Sequence, residues 1–434
     1  MKKNIITGVI SAENKNVIFS SIENSFEFCF MTDIIYSFSY KNKPVKININ
    51  NDFIFGKTHD NYDIAIYYND NILEVLGTTL LHTYAYIKST RNIESTDLTE
   101  YEGIKFVGGT LNNVFIADAL DVTYEGEKRV IKDKDDSIKY KFNTDEYNMD
   151  INICSSVFEQ TGINGKTISN TNVVLTLKFD KPQKLATLFS HYNKIKDILS
   201  FMTFRENVGF DKVYLTKSYS DPNCLLNCAE VFILEEEKLT SKKYFYNISF
   251  DDLGESFTKL LQLIYTDTDK TKTVSLGFIP LNDNDVHIMT NEKIKAICTS
   301  LECEFSFIPD VVGKEQNTAI NDLIKEVKTT VKKFKGNKSL LSDDVYSLIF
   351  SNIKHWSFPM VEKICALWHK YEPEMLILNK SEVSVTDEMI KETVKFRNDI
   401  THGKHRVLNK KIALTAHYLS GIVYCSILER IGLN

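Results

Sequence analysis

The spacing of apolar residues changes part-way along the chain, and no single kind of secondary structure satisfies both spacings. Before about residue 182 apolar positions alternate with polar ones, as in Val45, Ile47 and Ile49 and again in Val173, Leu175, Leu177 and Phe179. Period two puts every second side chain on one face of a half-buried strand. After about residue 290 apolar positions recur every three or four residues, the spacing of a helix face. The expectation is an α+β protein, with a β-rich N-terminal domain over residues 1–245 and an all-α helical bundle over 246–434.

Clusters of turn-forming residues punctuate the first part at Asn69-Asp70-Asn71, Gly108-Gly109, Asn164-Gly165 and Asp180-Lys181-Pro182. A helix is expected over 184–202, where Leu185, Leu188, Tyr192, Ile195, Leu199 and Met202 share a face. Short strands follow at Val213–Leu215 and Val231–Leu234, then a helix over 251–265 and a strand or loop over 273–280. Further helices are expected over 291–307, 317–335, 343–372 with a break at Pro359, 387–402 and 410–431.

No run approaches the roughly 18 unbroken apolar residues of a membrane span. The apolar run Ile5–Ile10 is interrupted by Thr7 and Gly8 and is too short for a secretory signal. Of eight cysteines, only Cys224 with Cys228 and Cys298 with Cys303 lie close together. Neither pair has a second Cys or His pair at zinc-finger spacing, which favours reduced thiols. The reading is a cytoplasmic protein with no membrane partner, no metal and no cofactor. The net charge of −6 is unevenly spread: residues 311–434 hold 19 Lys+Arg against 14 Asp+Glu, so the back of the chain is basic and the front acidic. A basic back suits a polyanionic partner. In the front, His59, His82, His191 and His287 form no cluster, and there is no Gly-rich phosphate loop.

The stretch Phe396-Arg397-Asn398-Asp399-Ile400-Thr401-His402-Gly403 carries chemistry. Ser384 or Thr386 can cap the helix before it, Asp387 and Glu388 suit its first turn, and Met389, Ile390, Thr393, Val394 and Phe396 supply its apolar face. Gly403 suits the left-handed residue that stops a helix. Asn398 and His402 are four apart, so the amide can orient the imidazole. Arg397 and His402 are five apart and diverge by about 140° on an ideal helix. To meet at one phosphate they need a distorted helix end or a second copy of the chain. Lys404, His405, Arg406, Lys410 and Lys411 follow as candidate RNA-backbone contacts, with a second basic cluster at Lys332, Lys333, Lys335 and Lys338. Trp356, Trp368 and Tyr418 offer rings for stacking on bases, although rings at helical spacing more often fill a core.

An Arg-x4-His spacing alone is a weak pattern. With Asn directly after the Arg, Gly directly after the His, a helical setting and a basic loop next, this sequence resembles the HEPN domains (higher eukaryotes and prokaryotes nucleotide-binding). The segment Leu301-Glu302-Cys303 in an earlier helix and the long β-rich front are similar to the ApeA-like anti-phage HEPN proteins. The likeness covers roughly residues 250–434 by motif and residues 1–240 by layout alone. It implies a helical bundle that dimerises, bringing Arg and His of both copies to one RNA cleft. It also implies a metal-independent endoribonuclease of abortive infection, acting on RNA such as tRNA, with an N-terminal domain that binds a phage-derived trigger or restrains the nuclease.

The residue types fit that chemistry. The ribose 2′-OH attacks the adjacent phosphorus, and an acid protonates the departing 5′-oxygen. Histidine, with a reference pKa of about 6.5, suits proton transfer near neutral pH. Arginine stays cationic and can bond two phosphoryl oxygens as charge builds on them. The expected roles are His402 as acid/base, Arg397 as transition-state stabiliser and Asn398 as orienter. Two other readings are a catalytically inert HEPN-domain receptor for a phage component and a toxin silenced by a partner gene.

Overall fold

The computed structural model describes residues 6–12, 15–22, 25–30, 52–67, 72–75, 78–90, 98–115, 120–125, 128–133, 136–162, 165–218, 224–234, 248–266, 276–281, 285, 288–308, 314–337, 342–354, 360–379 and 384–433. The chain divides into two compact units, Met1–Leu261 and Gln262–Asn434. The first is built on strands and the second, among the described residues, on helices. The expected positions at Val45, Ile47, Ile49, Asn69–Asn71, Trp356, Pro359 and Lys338 lie outside the described residues.

The strands of the first unit are β1 Thr7–Ala12, β2 Lys15–Ile22, β3 Ser25–Phe30, β4 Phe53–Thr58, β5 Asp63–Tyr67, β6 Ile72–Val75, β7 Thr78–His82, β8 Ala85–Ser89 and β9 Glu100–Val107, then β10 Leu120–Glu125, β11 Lys128–Asp133, β12 Ile138–Asn143, β13 Asn148–Gly162, β14 Gly165–Lys184, β15 Lys212–Ser218 and β16 Leu225–Ile233. Fourteen of them form one sheet in the order β12-β13-β14-β9-β15-β16-β8-β5-β4-β1-β2-β3-β7-β6, while β10 and β11 pair separately. Two helices join them, the single turn α1 (Leu111–Val114) and α2 (Leu188–Thr203), which is preceded by one 3-10 turn at Leu185–Thr187. Helix α2 buries Leu188, Phe189, Tyr192, Ile195 and Leu199. Its Phe189 ring lies 4.4 Å from Tyr67 of β5 and 6.1 Å from Phe53 of β4, and its Tyr192 meets Phe106 of β9. The helix therefore covers the middle of the sheet, as its apolar spacing requires.

The alternation through Val173, Leu175, Leu177 and Phe179 lies in β14, with all four side chains buried. Gly108-Gly109 forms the expected turn: both residues have positive φ, and a Cβ on Gly109 would sit 2.4 Å from the Gly209 carbonyl oxygen. Asp180-Lys181-Pro182 does not turn the chain. β14 runs on to Lys184, and its register against β9 shifts between Lys178 and Gln183. The irregularity absorbs a proline, which has no N–H to offer a ladder. The helix expected over 251–265 is two pieces, α3 (Phe250–Leu253) and α4 (Ser256–Thr266). Ser249 caps α3 through a reciprocal bond with Asp252, and Gly254 at φ +47° breaks the run. The break lets both Phe250 and Phe257 bury, 5.2 Å apart and edge-on.

The second unit holds α5 (Asn291–Glu304), α6 (Lys314–Asn337), α7 (Asp343–Lys354), α8 (Met360–Asn379), α9 (Asp387–Thr401) and α10 (Lys410–Ile431). Helix α10 is long and apolar enough to cross a membrane by composition, yet 67% of that window is buried, so it is the core helix of this unit. It packs with α5, α8 and α9. Trp368 of α8 and Tyr418 of α10 meet edge-on at 5.8 Å, and both are almost fully buried. That removes them as base-stacking rings and makes them core, where their area contributes most. Glu304 of α5 is buried, accepts from Ser426 of α10 at 2.9 Å and faces Arg430 at 3.0 Å. Cys228 of the sheet unit and Cys298 of α5 are buried free thiols, while Cys224 is exposed.

Candidate functional site

Helix α9 begins as its sequence requires. Thr386 is the N-cap, its hydroxyl accepting from the Met389 N–H at 3.3 Å, with Asp387 and Glu388 in the first turn. Ser384, the other candidate cap, donates instead to Glu372 at 2.7 Å. Ile390, Thr393, Val394 and Phe396 face the interior, so the polar residues around them are turned outward.

The helix ends in a Schellman motif. The Lys404 N–H bonds the Asp399 carbonyl at 2.9 Å, and the Gly403 N–H bonds the Ile400 carbonyl at 3.3 Å. Gly403 takes φ +75°, the left-handed conformation expected of it. His402 remains on the helical spiral, because its N–H still bonds the Asn398 carbonyl at 3.0 Å. The helix proper ends at Thr401, and His402 caps it at φ −89° and ψ 18°; on an ideal helix Arg397 and a residue five positions on stand about 140° apart.

The three motif residues differ in how they are held. Arg397 is four-fifths covered and donates from Nη2 to both carboxylate oxygens of Glu302, at 3.0 and 3.1 Å. From Nη1 it donates to Asn398 Oδ1 at 3.2 Å. Asn398 thus steadies the guanidinium, and its amide does not bond the His402 ring as the four-residue spacing suggested. His402 is exposed, with no side-chain partner among the described residues. Beneath the pair lies Cys298, one turn before Glu302 on α5. Burial pushes its thiol up to about 12, against the opposing pull of Arg397. It is a packing group and not a nucleophile.

Two residues that bond the site's cations have no role legible in the sequence. Glu302 lies 95 positions before Arg397, and no local spacing connects them. Asp399 falls between the motif residues, and its partners lie beyond the helix end. Its carboxylate is buried, with Lys404 at 3.0 Å and Arg406 at 2.7 Å. The Lys404 hydrogen bond, ahead of Arg406, holds that carboxyl below the usual carboxylate range. The basic loop after the helix is thus fastened to the helix that carries the motif. Of the five residues read there as RNA contacts, Lys404 and Arg406 face Asp399, and Lys411 faces Glu392 at 3.1 Å. His405 and Lys410 have no side-chain partner among the described residues.

Chemically, the site offers a fixed cation with unused N–H groups, a solvent-facing imidazole and a basic rim. Arg397 and Glu302 are both partly exposed, so their pairing is worth about 1 kcal/mol or less. A phosphate oxygen can take the place of the carboxylate on the guanidinium at little cost. Among the described residues no group of three or more His, Cys, Asp or Glu side chains is arranged to hold a metal ion. No family model, no curated protein and no solved structure matches the chain.

Proposed function

We propose that the helical unit is a metal-independent endoribonuclease of the HEPN type, working in an ApeA-like anti-phage abortive infection system. The observation that carries this reading is the pairing at the end of α9 of a pre-oriented guanidinium with an uncommitted, exposed imidazole. Arg397 would hold the non-bridging oxygens of a scissile phosphate as negative charge builds on them. His402 would take the 2′-OH proton or give one to the 5′-oxygen. Asn398, bonded to Arg397, fits the role of holding the guanidinium's orientation better than that of steering the imidazole.

The helix end bears on the assembly. On an ideal helix the Arg397 and His402 side chains would stand about 140° apart, an arrangement that disfavours one copy presenting both to one phosphate. A second copy would bring them together, and the active form would be a homodimer with a composite cleft. The sheet unit would then sense a phage-derived trigger or restrain the nuclease.

The test is RNA cleavage by the purified full-length chain in EDTA, with Arg397→Ala and His402→Ala as variants. Each should lose activity by about a hundredfold or more, while DNA, which lacks the 2′-OH, should survive. Products should end in a 2′,3′-cyclic phosphate. If both folded variants still protect cells from phage, the inert-receptor reading replaces this one.

A further inference from the structure

Of the cations assigned to RNA from the sequence, Lys404, Arg406 and Lys411 are neutralised within the unit, whereas Lys332 of the second basic cluster is not. Helix α6 carries Lys325, Lys328, Lys332 and Lys335 at steps of three, four and three residues. On a helix these steps keep all four within an arc of about 80°, along roughly 15 Å of its length. The acids of the helix midsection, Asp322 and Glu326, fall outside that arc. Lys325, Lys328 and Lys332 have no ion-pair partner among the described residues, and Lys325 and Lys332 are exposed. Lys335, at the end of the row, reaches the exposed Asp343 of α7 at 2.6 Å.

Beside the row runs an apolar stripe, Ile324, Val327, Val331 and Phe334, and no residue of α6 whose exposure is described is fully buried. Phe334 is 51% exposed, at the basic end of the helix. A 24-residue helix whose stripe is only half-buried, with Phe334 exposed, gains little from packing within its own unit.

From this we infer that α6 is a docking rail for single-stranded RNA, with Lys325, Lys328 and Lys332 tracking the phosphates and Phe334 stacking on a base. Charge decides the occupant. A row of one sign without an acid inside it repels a second copy of itself and attracts a polyanion. The adjoining aromatic suits unpaired bases, which expose their faces as a duplex does not. Lys404, Arg406 and Lys411 would have to break existing ion pairs to do the same work. The choice of RNA rests on the ribonuclease reading, but the rail supplies affinity and leaves the chemistry to Arg397 and His402.

The experiment uses the full-length protein and the triple variant Lys325→Gln/Lys328→Gln/Lys332→Gln. The probe is a labelled single-stranded RNA with every 2′-hydroxyl methylated, so that it binds without being cut. The variant should bind at least tenfold more weakly, and the slope of log K against log salt should shrink by about 0.7 for each lost phosphate contact, about 2 in all. On cleavable RNA its KM should rise with kcat nearly unchanged, and Phe334→Ala should weaken binding without changing the salt slope. Unchanged binding and slope in the triple variant, with wild type still cutting RNA, overturns the rail and leaves the nuclease standing. Lysine-dependent binding by a wild type that does not cut keeps the rail and removes the nuclease. If the triple variant instead changes the mass by light scattering, or loses binding only to phosphatidylserine vesicles, the face belongs to a second copy or a membrane, and the RNA assignment is wrong.

Discussion

In the sheet unit, burial holds two ionisable groups of the core, His191 and Tyr101, in their neutral forms. His191 of α2 is buried against Phe179 and Tyr147, and burial, with a smaller push from Lys194, lowers its pKa to about 4. Burial likewise raises the Tyr101 hydroxyl well above its ordinary range. In the helical unit burial likewise keeps Tyr424 and Cys298 neutral, but four acids there meet charged partners. Glu304 faces Arg430, Glu429 faces Lys370, Asp399 faces Lys404 and Arg406, and Arg397 faces Glu302. A neutral interior stabilises without displaying charge, whereas paired charges near a surface can be exchanged for a ligand's charges. The contrast places exchangeable charge around Arg397 in the helical unit, whereas His191 and Tyr101 of the sheet unit display none.

The contrast breaks first at Glu304, the one carboxylate of these pairs that is almost wholly buried. Burial raises its pKa, with Arg430 and Ser426 pulling the other way. Glu304→Ala takes away the carboxylate that Arg430 faces and should cost about 3 kcal/mol, read from the urea midpoint. A loss near zero would mean that this pair, too, is a replaceable surface contact.

His191 tests the other side. Its folded pKa lies below the ordinary 6.5, so between about 4 and 6.5 the unfolded chain binds a proton that the folded chain does not. Stability therefore rises with pH across that window and falls on acidification, by about 2 kcal/mol at pH 5. Hydrogen exchange in α2 should report the loss, and His191→Gln should abolish its pH dependence. A flat profile in the wild type would show that the imidazole reaches water and that the interior is not the neutral one described.

A smaller effect is expected at Glu302. If the carboxylate orients Arg397, Glu302→Gln should lower kcat about tenfold, about 1.4 kcal/mol, with little change in KM, and Glu302→Asp should recover part of the loss. A faster variant would identify Glu302 as a restraint that competes with phosphate for the guanidinium.

The parts of this molecule that could be read from the sequence are those fixed by local periodicity. The ends of α10, the Thr386 cap, the Gly403 stop and the strand through Val173–Phe179 each follow from residues within one or two turns or one strand. What escaped were the effects of longer range. Glu302 and Arg397 meet only because α5 and α9 pack together. Asn398 bonds its neighbour Arg397 and not the imidazole four residues on, which spacing alone could not decide. Asp180-Lys181-Pro182 carries the composition of a turn, but pairing with β9 resumes at Gln183 and keeps the strand going. The cations after α9 look free for RNA until the fold brings Asp399 and Glu392 to them.

Gly403 separates the stability of the helix end from its function. A Cβ there would meet nothing within 4 Å, so the only penalty on Gly403→Ala is the left-handed backbone at φ +75°. That should cost about 1 kcal/mol, read as a small fall in the urea midpoint. The same substitution favours loosening the Schellman motif, which fixes both His402 at the helix cap and Lys404 over Asp399. If the position of His402 matters to cleavage, activity should fall by more than stability does, and the midpoint of the variant should stay well above assay conditions. If activity follows stability alone, His402 needs no fixed place at the helix end, and the pairing of a held guanidinium with a placed imidazole loses its force.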